Sequence, residues 1–247
     1  MTGVQTCALP ICFPVTISRA PLGLGYFYDQ KDRKDLLLIT GFAMPGGLAT
    51  NGSKLTITTA NAIAGVMREA EAFAVPTSSK YRTINDLLTD IKANPKAVAI
   101  GGGNYGGVDH VTVATLAATV GVNATDLNYI PYSGGGSLVP DVIGGRVAVG
   151  VSGTSEFASY VAAGKMRILA VTSPKPLKTI KGKTLVQQGV DLTFGNWRGI
   201  LAPADLTPAE NLNVVKIIDI LHASPSWKST LVAKSWIDEY RSSFSNC

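Results

Sequence analysis

The chain has 247 residues, 46% of them hydrophobic and 16% charged, with a net charge of +5. That length suffices for one large or two smaller domains, and the low charge content with recurrent apolar segments excludes a disordered chain. No apolar run approaches the roughly 18 residues of a membrane span. Lys and Arg are scattered rather than gathered into the basic stripe of a nucleic-acid footprint, and the modest positive excess fits an anionic ligand.

Cys7, Cys12 and Cys247 lie at the ends, so the body of the chain offers neither a disulfide framework nor a thiolate metal site. His110 and His222 are isolated, and no metal or cofactor is expected. Residues 1–11, MTGVQTCALPI, carry no charge and resemble a translated sequencing adapter more than a signal peptide, which would open on a basic segment. Residues 1–12 are therefore expected to be non-native.

A strand is predicted over residues 36–40, ending in Gly41. Glu69 and Glu71 alternate on an extended segment leading into a strand over 72–75, which Pro76 stops. Thr83 precedes Ile84, Leu87, Leu88 and Ile91 at helical spacing, and Asp86 completes a capping box. Asn94-Pro95 ends that helix. Residues 97–100 read as a buried strand, 108–120 as a helix stopped at Gly121, and 127–131 as a second strand. A helix ending at Gly144-Gly145 leads to a strand over 146–151. A helix over 156–163, with Gly164 after it, leads to a strand over 166–172. This alternation argues for a parallel sheet with helices on both faces. Residues 173–183, rich in Pro and Lys, read as a connector between domains. A strand is predicted over 197–202, a helix capped by Thr207 and opened by Pro208 to about Ala223, and another from Ser224-Pro225.

Ligands of open parallel sheets bind beyond the carboxyl ends of the strands. Here those ends read GGGNYGG after Ile100, YSGGG after Pro131 and SGTS after Val151, each leading into a helix. Glycine permits close backbone approach, and free N–H groups at a helix N-terminus favour an anion; the glycines could otherwise only make tight turns. Gly101, Gly103 and Gly106 satisfy G-x-G-x-x-G, but the next strand ends in Pro131-Tyr132 without the acid that would hold a ribose. Ser152 sits in an elbow-like Gly150-Val151-Ser152-Gly153-Thr154 that lacks the last glycine, and no later histidine follows except His222. Gly182-Lys183-Thr184 mimics the end of a P-loop, with Leu177 where its first glycine belongs. An α/β hydrolase or nucleotide-dependent enzyme using these loops is the alternative reading. Asp109 reads as a first-turn acid complementing the helix dipole, and His110 as either a donor to ligand or a partly buried ring. Glu69 and Glu71 could do acid–base work or be solvated or ion-paired at a strand edge. Arg198, beside Asn196 and Trp197, is either a carboxylate partner or a surface cation.

The segments LLLITGFAM, GGGNYGGVDH, YIPYSGGGSLVPDVIGGRVAVGVSG, EFASYVAAGKMRILAVTS and NWRGILAP, followed by SPSW, resemble in order and spacing the solute-binding receptors of tripartite tricarboxylate transporters, the Bug or TctC type. The resemblance runs from about Pro21 to Tyr240 and is most specific over 129–173. It implies an α/β fold like the type II periplasmic binding proteins, with two lobes around a ligand cleft: residues 13–75 and 176–247 in lobe 1, and 76–175 in lobe 2. It implies a receptor rather than an enzyme, periplasmic or extracytoplasmic and membrane-anchored. Such a receptor captures a small di- or tricarboxylate (citrate-like) anion by lobe closure and delivers it to the transporter's membrane components. The implied ligand contacts from lobe 1 are Thr40, Gly41 and Phe42. Lobe 2 would supply Gly102, Gly103, Asn104, Tyr105, Gly106, Gly107, His110, Tyr132, Ser133, Gly134, Gly135, Ser152 and Gly153, and the returning chain Asn196 and Arg198. The family's first strand and its glycine loop have no counterpart upstream of Pro21, and residues 242–247 depart from the family's final helix. Lobe 1 is therefore expected to be N-terminally truncated, to expose a sheet edge and to bind weakly.

Overall fold

A computed structural model describes residues 20–30 and 32–243. The segment expected to be non-native, the three cysteines and residues 244–247 lie outside them.

The chain first builds α1 (Ala20–Asp29), β1 (Leu38–Gly41), α2 (Ala43–Thr50) and β2 (Asn61–Glu69). It then passes through Ala70 into β3 (Glu71–Pro76), α3 (Ile84–Ala93), β4 (Ala99–Gly102), α4 (Val108–Ala118), β5 (Asn128–Pro131), α5 (Gly135–Ile143), β6 (Val149–Gly153), α6 (Thr154–Ala162) and β7 (Met166–Val171). It returns with β8 (Asn196–Ala202), α7 (Pro208–Ala223), α8 (Pro225–Lys234) and β9 (Ile237–Ser242). Two sheets result, ordered β1-β8-β2-β9 and β5-β4-β6-β3-β7.

Period-two alternation in β3 organises the second unit. Phe73 and Val75 point into a cluster with Ile84, Leu87, Leu116 and Leu169, under α3 and α4. Ala72 and Ala74 point the other way, onto Leu138, Val142 and Phe157 of α5 and α6. Helix α3 forms as its spacing predicts: both halves of the Thr83–Asp86 capping box are present, and Ile84, Leu87, Leu88 and Ile91 are all buried. Helix α7 has the same device in Thr207 and Glu210, with Pro208 in the first turn, and buries Val215 and Ile218 against Ile63 and Ile200 of the first sheet.

Strand direction departs from the all-parallel expectation. Only the β5–β4 and β4–β6 pairs are parallel; β3 is antiparallel to β6 and β7, and the first sheet is antiparallel throughout. The reason is the route of the chain. Strand β3 continues from β2 across Ala70 and enters at the carboxyl ends of the parallel strands, Glu71 opposite Gly153, whereas each helical crossover re-enters at the opposite end. Residues 173–183, expected as a connector, lie between β7 of one sheet and β8 of the other and start by packing on the second unit. Val171 accepts the amide of Leu185 and donates its own to Lys183, and Ile180, Leu185, Val190 and Leu192 are buried in the second unit's clusters. The chain thus changes sheet at Ala70, between β2 and β3, and again between β7 and β8. Among the described residues β1 has a neighbour on one side only, β8, and Ile39 is 72% exposed.

Candidate functional site

The two crossings between the units are stapled by one residue. The buried Thr172 accepts the Glu71 amide at its Oγ1 (2.8 Å) and donates its own amide to the Glu71 carbonyl (2.9 Å). Its hydroxyl donates to the Phe194 carbonyl (2.8 Å), and its carbonyl accepts the Phe194 amide (3.1 Å). Gly195 permits this close approach, because a Cβ there would lie 2.8 Å from the Arg68 side chain and the Glu69 carbonyl oxygen.

Beside the crossings lies the first glycine loop. The Gly103 amide donates to Asp109 Oδ2 (2.7 Å), and its carbonyl accepts the Tyr129 hydroxyl (2.7 Å). Gly106, at φ +74°, donates to His110 Nδ1 (3.3 Å), and Gly107 donates to the Asn104 carbonyl (2.9 Å). Three amides expected to face an anion are therefore engaged within the loop, which is a fixed shape rather than an open cradle. His110 stands edge-on to Tyr105 and Tyr129, and burial pushes its pKa down. With Nδ1 accepting, its donor is Nε2–H. The Tyr105 hydroxyl donates to the Tyr129 carbonyl (3.0 Å).

Carboxylates line the crossing. Glu69 Oε1 accepts the amide (3.0 Å) and hydroxyl (2.6 Å) of Ser155 at the start of α6, and so occupies that helix N-terminus itself. A Cβ on Gly153 would lie 2.7 Å from the Glu69 carboxyl carbon. Glu71 is wholly buried. Its carboxyl is pushed well above the usual range by burial first, then by the neighbouring charge of Asp109. Asp109 is raised too, chiefly by burial, against the lowering effect of the Gly103 amide and of its hydrogen bond with Glu71. Arg198 Nη1 donates to Asn196 Oδ1 (2.6 Å), and Arg198 attracts Glu71 across the crossing. Gly41, opposite Arg198 in the sheet, is where the guanidinium and the Trp197 carbonyl leave no room for a side chain.

The other loops contribute less. The Tyr132 amide is taken by the Gly102 carbonyl (2.7 Å) and its hydroxyl by Asp141 (2.7 Å), so Tyr132 braces α5. Ser133 and Gly134 are exposed; Gly134 has φ +147°, and Gly135 packs against Glu156. Ser152 is buried within β6, opposite Ala72. The hydroxyls of Thr154 and Thr40 are buried without a hydrogen-bond partner among the described residues, one in each unit. Thr40, Ile57, Trp197 and Gly199 line an open depression of about 440 Å³ on the first sheet, whose lining includes none of residues 101–107.

The units touch between α2 and the first glycine loop. A Cβ on Gly46 would lie 3.1 Å from the Gly106 carbonyl carbon and closer still to its oxygen, and Thr50 crowds Gly106 from the same helix. Phe42 stacks edge-on to Phe194 at 5.1 Å. The structure thus places Gly102 and Gly103 beside Asp109, Gly153 beside Glu69 and Arg198 near Glu71, and joins Gly106 and His110 to each other and His110 to Tyr105, while Tyr132 and Ser152 belong to packing. Tyr129 and Thr172 were not signalled by any motif. Glu71 had a readable signal, because it shares the alternation of the buried Phe73 and Val75.

A family profile described as "Tripartite tricarboxylate transporter family receptor" matches residues 53–234. Among curated relatives, the "UPF0065 protein in clcB-clcD intergenic region" of Pseudomonas knackmussii is 30% identical over 113 residues, 44% of this chain and 63% of that protein. Protein BugT of Bordetella pertussis is 25% identical over 64% of this chain and 46% of its own length. This chain therefore spans less than two thirds of either. Among solved structures, a TctC solute binding protein from Polaromonas superposes with TM-score 0.65 at 21% identity, covering 83% of this chain and 70% of that one. MatC from Rhodopseudomonas palustris with bound malate gives 0.75 at 12% identity, covering 88% and 75%. An R. palustris protein with adipate gives 0.66 at 19% identity, covering 74% and 62%. These structures share the two-lobed periplasmic-binding-protein fold.

Proposed function

Because the chain belongs to the receptors of the tripartite tricarboxylate transporter family, which are solute-binding proteins and not enzymes, we propose that it captures a small di- or tricarboxylate anion between its two lobes in the periplasm and hands it to the membrane components of such a transporter. The hydrolase and nucleotide readings of the glycine loops lapse with that membership.

The observation that carries the proposal is the seam where α2 meets the first glycine loop, Gly46 against Gly106. A cleft that closes on backbone and glycine suits a compact anion held by amides and small hydroxyls. Malate and adipate, carried by two proteins of this fold, support the dicarboxylate class, and a citrate-like tricarboxylate is the finer reading. No helix among the described residues is long and apolar enough to cross a membrane.

Calorimetric titration of the chain with malate, adipate and citrate tests this. One-to-one binding, with a rise in thermal stability of about 2.7 kcal/mol at a hundredfold excess over Kd, is expected for at least one of them. Absence of heat and of stabilisation with all three would overturn it.

A further inference from the structure

We propose that residues 175–183 are a docking strip for an anionic lipid surface: Lys175, Lys178, Lys181 and Lys183 stand out from an anchored backbone and meet the phosphate-bearing headgroups of a membrane. The inference goes beyond the capture of a carboxylate and does not rest on it.

The scatter of Lys and Arg along the chain has one exception. Between Glu156 and Asp191 there is no acid, but there are Lys165, Arg167 and these four lysines. Arg167 is engaged within the fold, donating to the carbonyls of Thr77, Ser79 and Tyr81. The four lysines are exposed, and none of them enters a salt bridge among the described residues. Neighbouring members of the strip are two or three residues apart, so their Cα atoms are separated by no more than about 11 Å. That is close to the Debye length of about 10 Å at 0.1 M salt, and their fields add.

The backbone beneath the lysines is fixed. Ile180 is buried in the cluster with Leu138 and Phe157, and Leu177 packs against that cluster. The Val171 amide donates to the Lys183 carbonyl (3.0 Å), the Leu185 amide to the Val171 carbonyl (2.9 Å), and the Ser173 hydroxyl to the Lys175 carbonyl (2.7 Å). A Cβ on Gly182 would lie 2.8 Å from the Ile168 side chain, so the segment lies against β7, the edge strand of its sheet. The chemistry of the strip selects the partner. Protein interfaces are anchored by aromatic and arginine side chains and are poor in lysine, and neither an aromatic residue nor an arginine occurs over 174–190. Lysine, a hydrated point charge on a flexible stem, suits the diffuse negative potential of a headgroup layer.

The test is co-sedimentation of the full chain with vesicles of phosphatidylcholine alone, or of phosphatidylcholine with about a third phosphatidylglycerol. Wild type should partition onto the anionic vesicles only, and should come off as salt rises from about 0.05 to 0.5 M. A lysine near such a surface contributes about fivefold, so combining Lys175→Gln, Lys178→Gln, Lys181→Gln and Lys183→Gln should weaken partition by about tenfold or more. A control combining Lys92→Gln, Lys96→Gln, Lys216→Gln and Lys228→Gln loses the same net charge from exposed sites elsewhere; it should partition nearly as wild type does. The replaced side chains are all exposed, and an unchanged Tm checks that both variants fold. Equal losses in the two variants, or wild-type capture that is indifferent to phosphatidylglycerol, would overturn the proposal. So would tighter binding to soluble polyglutamate than to the vesicles at equal charge, which would make the partner an acidic protein. Vesicle capture is measured without malate, so the strip stands or falls whatever the carboxylate titration gives.

Discussion

Replacing Gly46 by alanine places one methyl in the seam between the lobes. Its carbon would lie 3.1 Å from the Gly106 carbonyl carbon, with the oxygen nearer. Non-bonded carbons rest at about 3.5–4.0 Å, so the lobes must part by roughly half an ångström or more, and backbone on the far side cannot rotate away. Overpacking of this kind costs about 1–3 kcal/mol. If the closed arrangement alone bears that cost, the apparent affinity for a carboxylate falls roughly 5- to 150-fold. The unliganded fold should not suffer, because alanine is favoured over glycine inside a helix by about 1 kcal/mol and Gly46 is interior to α2. Calorimetric titration with malate, unfolding without ligand, and small-angle scattering with and without ligand separate these effects. Weaker binding, an unchanged or higher Tm and a larger liganded radius of gyration are expected. Wild-type affinity together with a wild-type liganded radius would refute the seam as the closing contact.

Gly153→Ala should push Glu69 off the start of α6, with the new Cβ 2.7 Å from its carboxyl carbon, and destabilise the protein by about 1–3 kcal/mol in urea unfolding. Thr83→Ala removes the hydroxyl half of the α3 capping box; a loss of about 1 kcal/mol is expected, with ligand affinity unchanged by titration. Ile39→Thr, on the open side of β1 and 72% exposed, should alter stability by less than about 0.5 kcal/mol and reduce concentration-dependent association in light scattering.

The second unit was readable because its signals are local. A capping box, glycines after strands and apolar residues at helical spacing place α3 to β7 to within about three residues at each end. Strand direction was not, since β3 looks like any buried strand and only its route through Ala70 makes it antiparallel. Strand β2 escaped because register shifts at Ala62/Ala64 and Gly65/Met67 break its alternation, and β9, IDEYRS, because it is largely polar. At the site, glycine loops were visible as donors, but nothing in their sequence says which amides the protein consumes. That depends on Asp109 and His110, one turn further on. The proline- and lysine-rich stretch has the composition of a linker, yet Ile180 within it is buried in the second unit.

The staple at Thr172 has a mechanical meaning. Both passages between the lobes lead through the hydroxyl and the backbone N–H and C=O of one residue, so neither can twist without dragging the other. Two independent straps would let the halves slide, shear and rock. Two straps pinned together leave chiefly a torsion about one axis, as a door has when its hinges share a pin. A receptor built this way would offer its membrane partner a single variable, the angle of the door.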